Sequence, residues 1–484
     1  MAIQFNQIPV NWQVPGVYVE VDNSGAVQGT PAMRKPVLLV GLRRSTGTVA
    51  AEVVTPITAA SQGALYFGHG SQLAQMIEAF VAVNPNAELY AIALNEDAAG
   101  VKATNTITVT GTATEDGTIP LIAGGRKINV AVANGDGQNT IAAAIKAAFD
   151  EDVDLPFVAT VLNNVVTDTA HHKGEYGNDL SIFKAYYSGQ KLPSGVTVAI
   201  TDFASGATNP DIADAIAALG GEAYYTIVTG WTDDANMDAL EAELEDRWGP
   251  MVATPGQAIA AYRDDYAGSQ TYGDARNSAF STVLATGLSP TPPWMCAAIL
   301  AAVEVAQNDP ARPRQNKKLP GMLAPLVADR FSTTERNLLL LDGMATYKIE
   351  VGDCIIERMC TTYQTKNGVA DPSFHDIETM RTLAYLRYSL STRFLLKYPD
   401  AKLANDGTAF GPGQVVVTPK TARGEVLALF AEWERDGLVE GREQFAEQLI
   451  VERDANTPTQ LNIFLPPDLI NQLRVTAAQI GFKL

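Results

Sequence analysis

Both extremities of this chain read as β-strands with no partner nearby in sequence. Pro15-Gly16 leads into Val17-Tyr18-Val19-Glu20-Val21, which sets Val17, Val19 and Val21 on one face and Tyr18 and Glu20 on the other, the alternation of a half-buried strand. The far end, from Leu473 and Val475 through Ile480, Phe482 and Leu484, alternates again and finishes on an apolar residue. Terminal segments fray unless something ties them down, and an unpaired strand exposes a row of hydrogen-bonding groups. Two such ends point to tails that are completed by other copies of the chain.

At 484 residues the chain exceeds a single core and should hold about two to four domains. Its 46% hydrophobic content and 18% charge place it among folded rather than disordered chains. No segment approaches the roughly 20 apolar residues of a membrane span, and the N-terminus lacks a signal-peptide profile. Cytosol-like surroundings and no membrane insertion are therefore expected. Cys296, Cys354 and Cys360 lie in apolar or mixed stretches without CxxC spacing, which suits buried thiols better than a disulfide or a metal site.

The net charge of −19 argues against direct nucleic-acid binding, which needs a basic surface. The charge is uneven: residues 206–310 carry 15 acids against three basic residues, whereas 371–484 carry 15 against 12. Between them runs Arg312-Pro-Arg314-Gln-Asn-Lys317-Lys318, readable as a solvated loop or as a contact to the acidic face of another subunit.

Along the chain, Val37-Leu38-Leu39-Val40 suits a buried strand. Ser71 can cap a helix with Leu73, Met76, Ile77 and Phe80 inward, and Leu89–Leu94 supplies a second buried strand. The rhythm returns later: a helix from Asn209-Pro210 with Ile212, Ile216 and Leu219 inward, a strand at Tyr224–Val228, and a helix with Met237, Leu240, Leu244 and Trp248 on one stripe. This alternation implies a mainly parallel sheet with helices packed on it. Residues 101–205 interrupt it with Thr-rich alternating runs and one Ala-rich helix near 140–149, an inserted β-rich domain. From Asp371 a compact α+β unit follows, with helices near 373–397 and 422–436 and strands near 448–453 and 460–465.

Read together, Pro15 to Glu20, Tyr66-Phe67-Gly68 leading to Leu89-Tyr90-Ala91-Ile92, and Leu461 to Val475 through Phe482-Lys483-Leu484 resemble the contractile tail sheath family of bacteriophages, most visibly those of Mu-like phages. The resemblance implies an α/β and α+β multidomain fold. Its parts would be an N-terminal arm (1–36), a discontinuous subtilisin-like, non-catalytic α/β core (37–100 and 206–370), the inserted outer domain (101–205), a C-terminal tube-proximal domain (371–472) and a C-terminal arm (473–484). It further implies a helical homo-oligomer around a tail tube protein, with baseplate and tail terminator proteins as partners, in a virion assembled in the host bacterial cytoplasm. The arms, represented by Val17–Val21 and by Leu473, Val475, Ile480, Phe482 and Leu484, would add strands to neighbouring subunits, a head-to-tail contact that propagates as a helix. Candidate tube or subunit contacts are Lys397, Lys402, Lys420 and Arg423, beside Arg312, Arg314, Lys317 and Lys318. The sheath of a phage-derived bacteriocin or other contractile injection system would use the same residues.

A hydrolase is the alternative of another class, raised by the subtilisin-like label. The histidines are His69, His171, His172 and His375, and no serine sits in G-x-S-x-G. Asp168, His171, His172 and Glu175 could in principle ligate a metal, but adjacent histidines point in different directions on regular structure, and Gly174 and Gly177 suggest a solvated loop instead. Gly68-His69-Gly70-Ser71 lacks the lysine of a phosphate loop and reads as a strand-to-helix turn. No cofactor is expected, and without a nucleotide site contraction would release energy stored in a metastable assembly.

Overall fold

Strands buried on both faces need continuous apolar runs, and Val37–Leu42 is buried along its whole length. A computed structural model describes residues 13–19, 30–411 and 413–483 of the chain. These fall into two units, one of residues 34–384, 434–440 and 467–484, the other of residues 1–33, 385–433 and 441–466.

In the larger unit Val37–Leu42 runs parallel to Leu89–Leu94 on one side and Thr226–Thr229 on the other. Gln257–Tyr262, Ser281–Ala285 and Met344–Glu350 extend the parallel sheet. Antiparallel strands Thr55–Ile57 and Asp353–Arg358 close its two edges, making eight strands. The expected helix Gln72–Val83 begins where Ser71 Oγ accepts from the Ala74 N–H at 3.2 Å. It packs against Pro293–Val305, and Trp294 Nε1–H donates to Gln75 Oε1 at 3.0 Å. That second helix is apolar all round and buried, so it shows no amphipathic period, and sequence reasoning passed over it. The helix expected from Asn209-Pro210 starts later, at Ala213.

Residues 102–200 add two antiparallel sheets. Val196–Ile200, Lys102–Gly111, Val165–Lys173 and Phe157–Leu162 form one, and Arg126–Val132, Gly117–Ala123 and Ile182–Lys184 the other. Helix Gln138–Glu151 buries Ile141, Ile145 and Phe149 against them, with Phe149 edge-on to Phe157. This layer is seated on the parallel sheet's helices: Tyr176 meets Trp294 at 5.1 Å, and Arg126 reaches Glu78 at 3.1 Å. Gly68-His69-Gly70-Ser71 joins helices Ser61–Phe67 and Gln72–Val83, not a strand and a helix. Gly70 takes φ +67°, and a Cβ there would stand 2.2 Å from the Leu155 carbonyl oxygen, so only glycine admits the added layer this closely.

Asp168 and His172 lie on strand Val165–Lys173, fully buried, not in a solvated loop. Both Asp168 carboxyl oxygens lack a partner, as does Oδ1 of its cross-strand neighbour Asn105. Burial pushes the Asp168 carboxyl up to about 7. The folded state thus binds this proton more tightly than the unfolded chain, and stability falls as pH rises from about 4 towards 7. Asp168→Asn, which keeps the shape without the charge, is expected to stabilise the protein by on the order of 2–3 kcal/mol at pH 8 and by little at pH 4. Denaturant melts at the two pH values check this; equal effects at both would show that Asp168 is not protonated in the fold.

In the smaller unit the later part of Ile377–Lys397 and most of Pro419–Arg435 pack around Trp433, whose Nε1–H donates to Ser389 Oγ at 2.9 Å. Phe430 stacks on Phe445 of helix Arg442–Gln448 at 4.0 Å. The long helix begins at Ile377 rather than near Ser373, and Leu395 near its end is 69% exposed.

Candidate assembly site

The C-terminal arm leaves the larger unit through a series of clamps. Asp468–Leu469 pairs antiparallel with Val439–Glu440, and the Ile470 N–H donates to the Leu438 carbonyl at 3.1 Å. Gln472 Nε2 then donates to the Ala311 carbonyl at 3.2 Å, and Gln315 Nε2 to the Leu473 carbonyl at 3.0 Å. Arg474 follows, its guanidinium on Asp376 at 3.0 Å, Glu378 at 2.9 Å and Gln315 Oε1 at 3.3 Å. Beyond it, residues 475–483 form no strand and are exposed, Ile480 to 90% and Phe482 to 81%. Among the described residues no strand pairs with this alternating segment.

At the other end, Val17 and Val19 are 93% and 82% exposed, and residues 13–19 are irregular. Glu20, Val21 and Leu484 lie outside the described residues. The root of this arm is fixed where Lys35 Nζ donates to the Gln307 carbonyl at 2.7 Å and the Tyr225 N–H donates to the Pro36 carbonyl at 2.8 Å. Burial lowers the Lys35 pKa.

Beneath both roots is a buried ionic cluster. Glu304 accepts from Arg314 at 3.1 Å and from Arg381 at 2.9 Å, all three side chains being 2% exposed or less. Burial works to raise the Glu304 carboxyl, but the two guanidiniums override it and hold it below the usual range. Arg381 also lies over the Tyr225 ring at 3.7 Å, while Arg314 Nη1 donates to the Pro310 and Arg312 carbonyls. Glu378 accepts the Arg314 backbone N–H at 2.9 Å on one oxygen and Arg474 on the other. Arg358 and Arg474 together hold the Asp376 carboxyl below its ordinary range against burial.

This corrects the expectation for Arg314, which is withdrawn from the surface to satisfy Glu304 and the loop carbonyls. Arg312 is exposed, Lys317 half-buried, and Lys318 pairs with Asp353. Arg423 is likewise spent inside its own unit, donating to the Leu449 carbonyl at 2.6 Å and to that of Ala446, the last turn of helix Arg442–Gln448. Lys397 pairs with Glu425 at 2.7 Å, and Lys402 donates to Gln414 at 2.7 Å; both are exposed, as is Lys420. Sequence reasoning missed Lys35, Glu304, Gln315, Asp376, Glu378, Arg381 and Arg474. A signal existed for Glu304, the only charge in an otherwise apolar helix.

The smaller unit contains a separate hairpin. Ile450–Arg453 and Leu461–Phe464 form an antiparallel hairpin of two strands, with no further strand on either edge among the described residues. Ile450 and Phe464, directly paired, are 54% and 60% exposed. An isolated two-stranded sheet is marginal in water, and bare edges are templates for further strands.

His69 pairs with Asp154 at 2.8 Å, His172 with Glu96 at 2.9 Å, and His375 Nδ1 lies 3.2 Å from the Tyr363 carbonyl. Among the described residues no group of three or more His, Cys, Asp or Glu could hold a metal, and no helix is long and apolar enough to cross a membrane. All three cysteines are buried and free.

Three family models match this chain: the phage tail sheath protein β-sandwich domain over residues 98–197, the central domain over 205–362 and the tail sheath C-terminal domain over 369–483. The Mu-like prophage FluMu tail sheath protein of Haemophilus influenzae is 41% identical over 488 aligned positions, covering all of both chains. Among solved structures, the sheath tail protein of Desulfitobacterium hafniense is 12% identical with a TM-score of 0.48, over 94% of this chain and 100% of that one. The contracted helical sheath of the anti-feeding prophage is 12% identical with a TM-score of 0.47, over 97% and 99%.

Proposed function

This chain belongs to the phage tail sheath family and is the sheath protein of a contractile tail, and on that premise we propose how its subunits join. Each subunit lends its exposed terminal segments as strands to the bare hairpin Ile450–Arg453/Leu461–Phe464 of neighbouring subunits. The observation that carries this reading is the match of unsatisfied elements: an alternating apolar tail that finds no ladder in its own unit, and a two-stranded sheet with free edges. Donor and acceptor are different surfaces, so the contact runs head-to-tail and builds a helix around a tube, bounded by baseplate and terminator proteins. The mesh persists while the bodies of the subunits move, and contraction happens once, from stored energy rather than by turnover.

In this reading the role is structural and non-enzymatic, within a virion assembled in the bacterial cytoplasm. The core is the discontinuous subtilisin-like part (37–100 and 206–370), with 101–205 an outward insertion and 371–472 the tube-proximal part between the arms at 1–36 and 473–484. Of the candidate tube contacts, Lys402 and Lys420 remain the best placed, because Arg423 is consumed internally and Lys397 is paired.

Purified protein mixed with its tube protein is expected to form sheathed tubes by electron microscopy. Lys402→Glu with Lys420→Glu should lower sheathing of tubes by about tenfold, roughly the 1 to 2 kcal/mol of a few surface charge contacts, with an unchanged melting temperature. Unaltered sheathing would remove these lysines from the tube interface, whereas discrete oligomers with hydrolytic turnover would favour the hydrolase alternative.

A further inference from the structure

Both arm roots converge on one short segment. Lys35 is held by the Gln307 carbonyl, Gln472 by that of Ala311, and Leu473 and Arg474 by Gln315. Segment 304–315 is itself pinned at both ends by the buried cluster: Glu304 binds Arg314 and Arg381, and Glu378 bridges the Arg314 N–H to the Arg474 guanidinium. We propose that residues 304–315 are a common anchorage that couples the two arms, with Lys35, Gln315 and Arg474 as its positioning residues. The proposal rests on the strand-donation reading above and adds where the load goes. A pull on the N-terminal arm divides at its root: the backbone carries part of it through Pro36 into strand Val37–Leu42, and Lys35 diverts part to Gln307, from where it leaves through Gln315 and Arg474 to the C-terminal arm. A neighbour-to-neighbour line of tension then crosses each subunit through fewer than a dozen backbone links, clamped by charge-assisted hydrogen bonds, which are the strong ones. The clamp also sets where the arm can turn: Arg474 stays with the body, and the swinging part starts at Val475.

The test uses full-length protein, assembled on its tube and then contracted, with sheath length measured by electron microscopy before and after contraction in the same preparation. Wild-type sheaths should keep their subunits together, so contracted lengths form one distribution in fixed ratio to the extended ones. In Arg474→Ala and, separately, Lys35→Met, whatever the yield of extended tubes, contraction should break the sheath into short stacks, with a median contracted length lower by about fivefold or more. Should Arg474→Ala melt the body, Gln315→Ala removes two of the same clamps from a half-buried side chain and should give the same breakage. Intact contraction in all of these variants would overturn the proposal. Breakage with Arg474→Ala or Gln315→Ala but not with Lys35→Met would overturn the coupling, since the arms would then be anchored independently. The premise fails separately: subunits lacking residues 475–484 that polymerise like wild type would remove strand donation itself.

Discussion

Subunits lacking residues 475–484 are expected to fold with the parallel sheet intact and to fail to polymerise. The cut belongs after Arg474 rather than before Leu473, because Leu473 and Arg474 are bonded to the body and only the residues beyond are exposed. Ile480 and Phe482 have no apolar cover in their own subunit, so their burial is available only at assembly, at about 1.5 kcal/mol or more each. Losing both, together with the ladder hydrogen bonds, should raise the concentration needed for polymerisation by at least about a hundredfold. Sedimentation and negative-stain microscopy report polymer, and circular dichroism reports the fold. Truncated protein that forms tubes at the wild-type concentration would make the arm dispensable.

The largest expected loss of stability comes from Glu304→Ala. The substitution leaves Arg314 and Arg381 buried without their shared anion, and removing one partner of a buried ion pair costs about 3–5 kcal/mol. At this chain length that corresponds to a melting temperature lower by about 3–5 °C. The pH dependence follows from the same geometry: the Glu304 carboxyl sits below its unfolded value, so its stabilisation is present above about pH 4.5 and is lost as pH falls through the folded value. Acid should therefore narrow the gap between variant and wild type. A loss under about 1 kcal/mol at pH 7 would show that the cluster is not held as described.

The parallel sheet was legible where its chemistry leaves a one-dimensional trace. Val37–Leu42 and Leu89–Leu94 are apolar runs because both faces are covered, and Ser71 announces its helix because the cap is three residues from the N–H it satisfies. The arms differ: their alternation is a one-dimensional trace with no ladder partner among the described residues, and it motivates the strand-donation proposal. Helix Pro293–Val305 escaped because a segment buried on all sides has no polar stripe to set its period. The long-range polar contacts escaped because their members are far apart in sequence, Lys35, Glu304, Arg381 and Arg474 among them, and pairing across such separations leaves no local pattern. For the same reason Arg314 looked like a surface cation beside Lys317 and Lys318, although its partner Glu304 is ten residues upstream on a buried helix.

Strand donation is tested most directly by placing one cysteine on the arm and one on the hairpin. With the three native thiols buried, Ile480→Cys combined with Phe464→Cys should yield a ladder of disulfide-linked multimers on denaturing gels when assembled sheaths are oxidised, and essentially none from unassembled subunits. A parallel series with Ile450→Cys probes the other edge of the hairpin. Assembled sheaths that give only monomer in both series, while microscopy shows intact tubes, would contradict strand donation from the C-terminal arm to this hairpin.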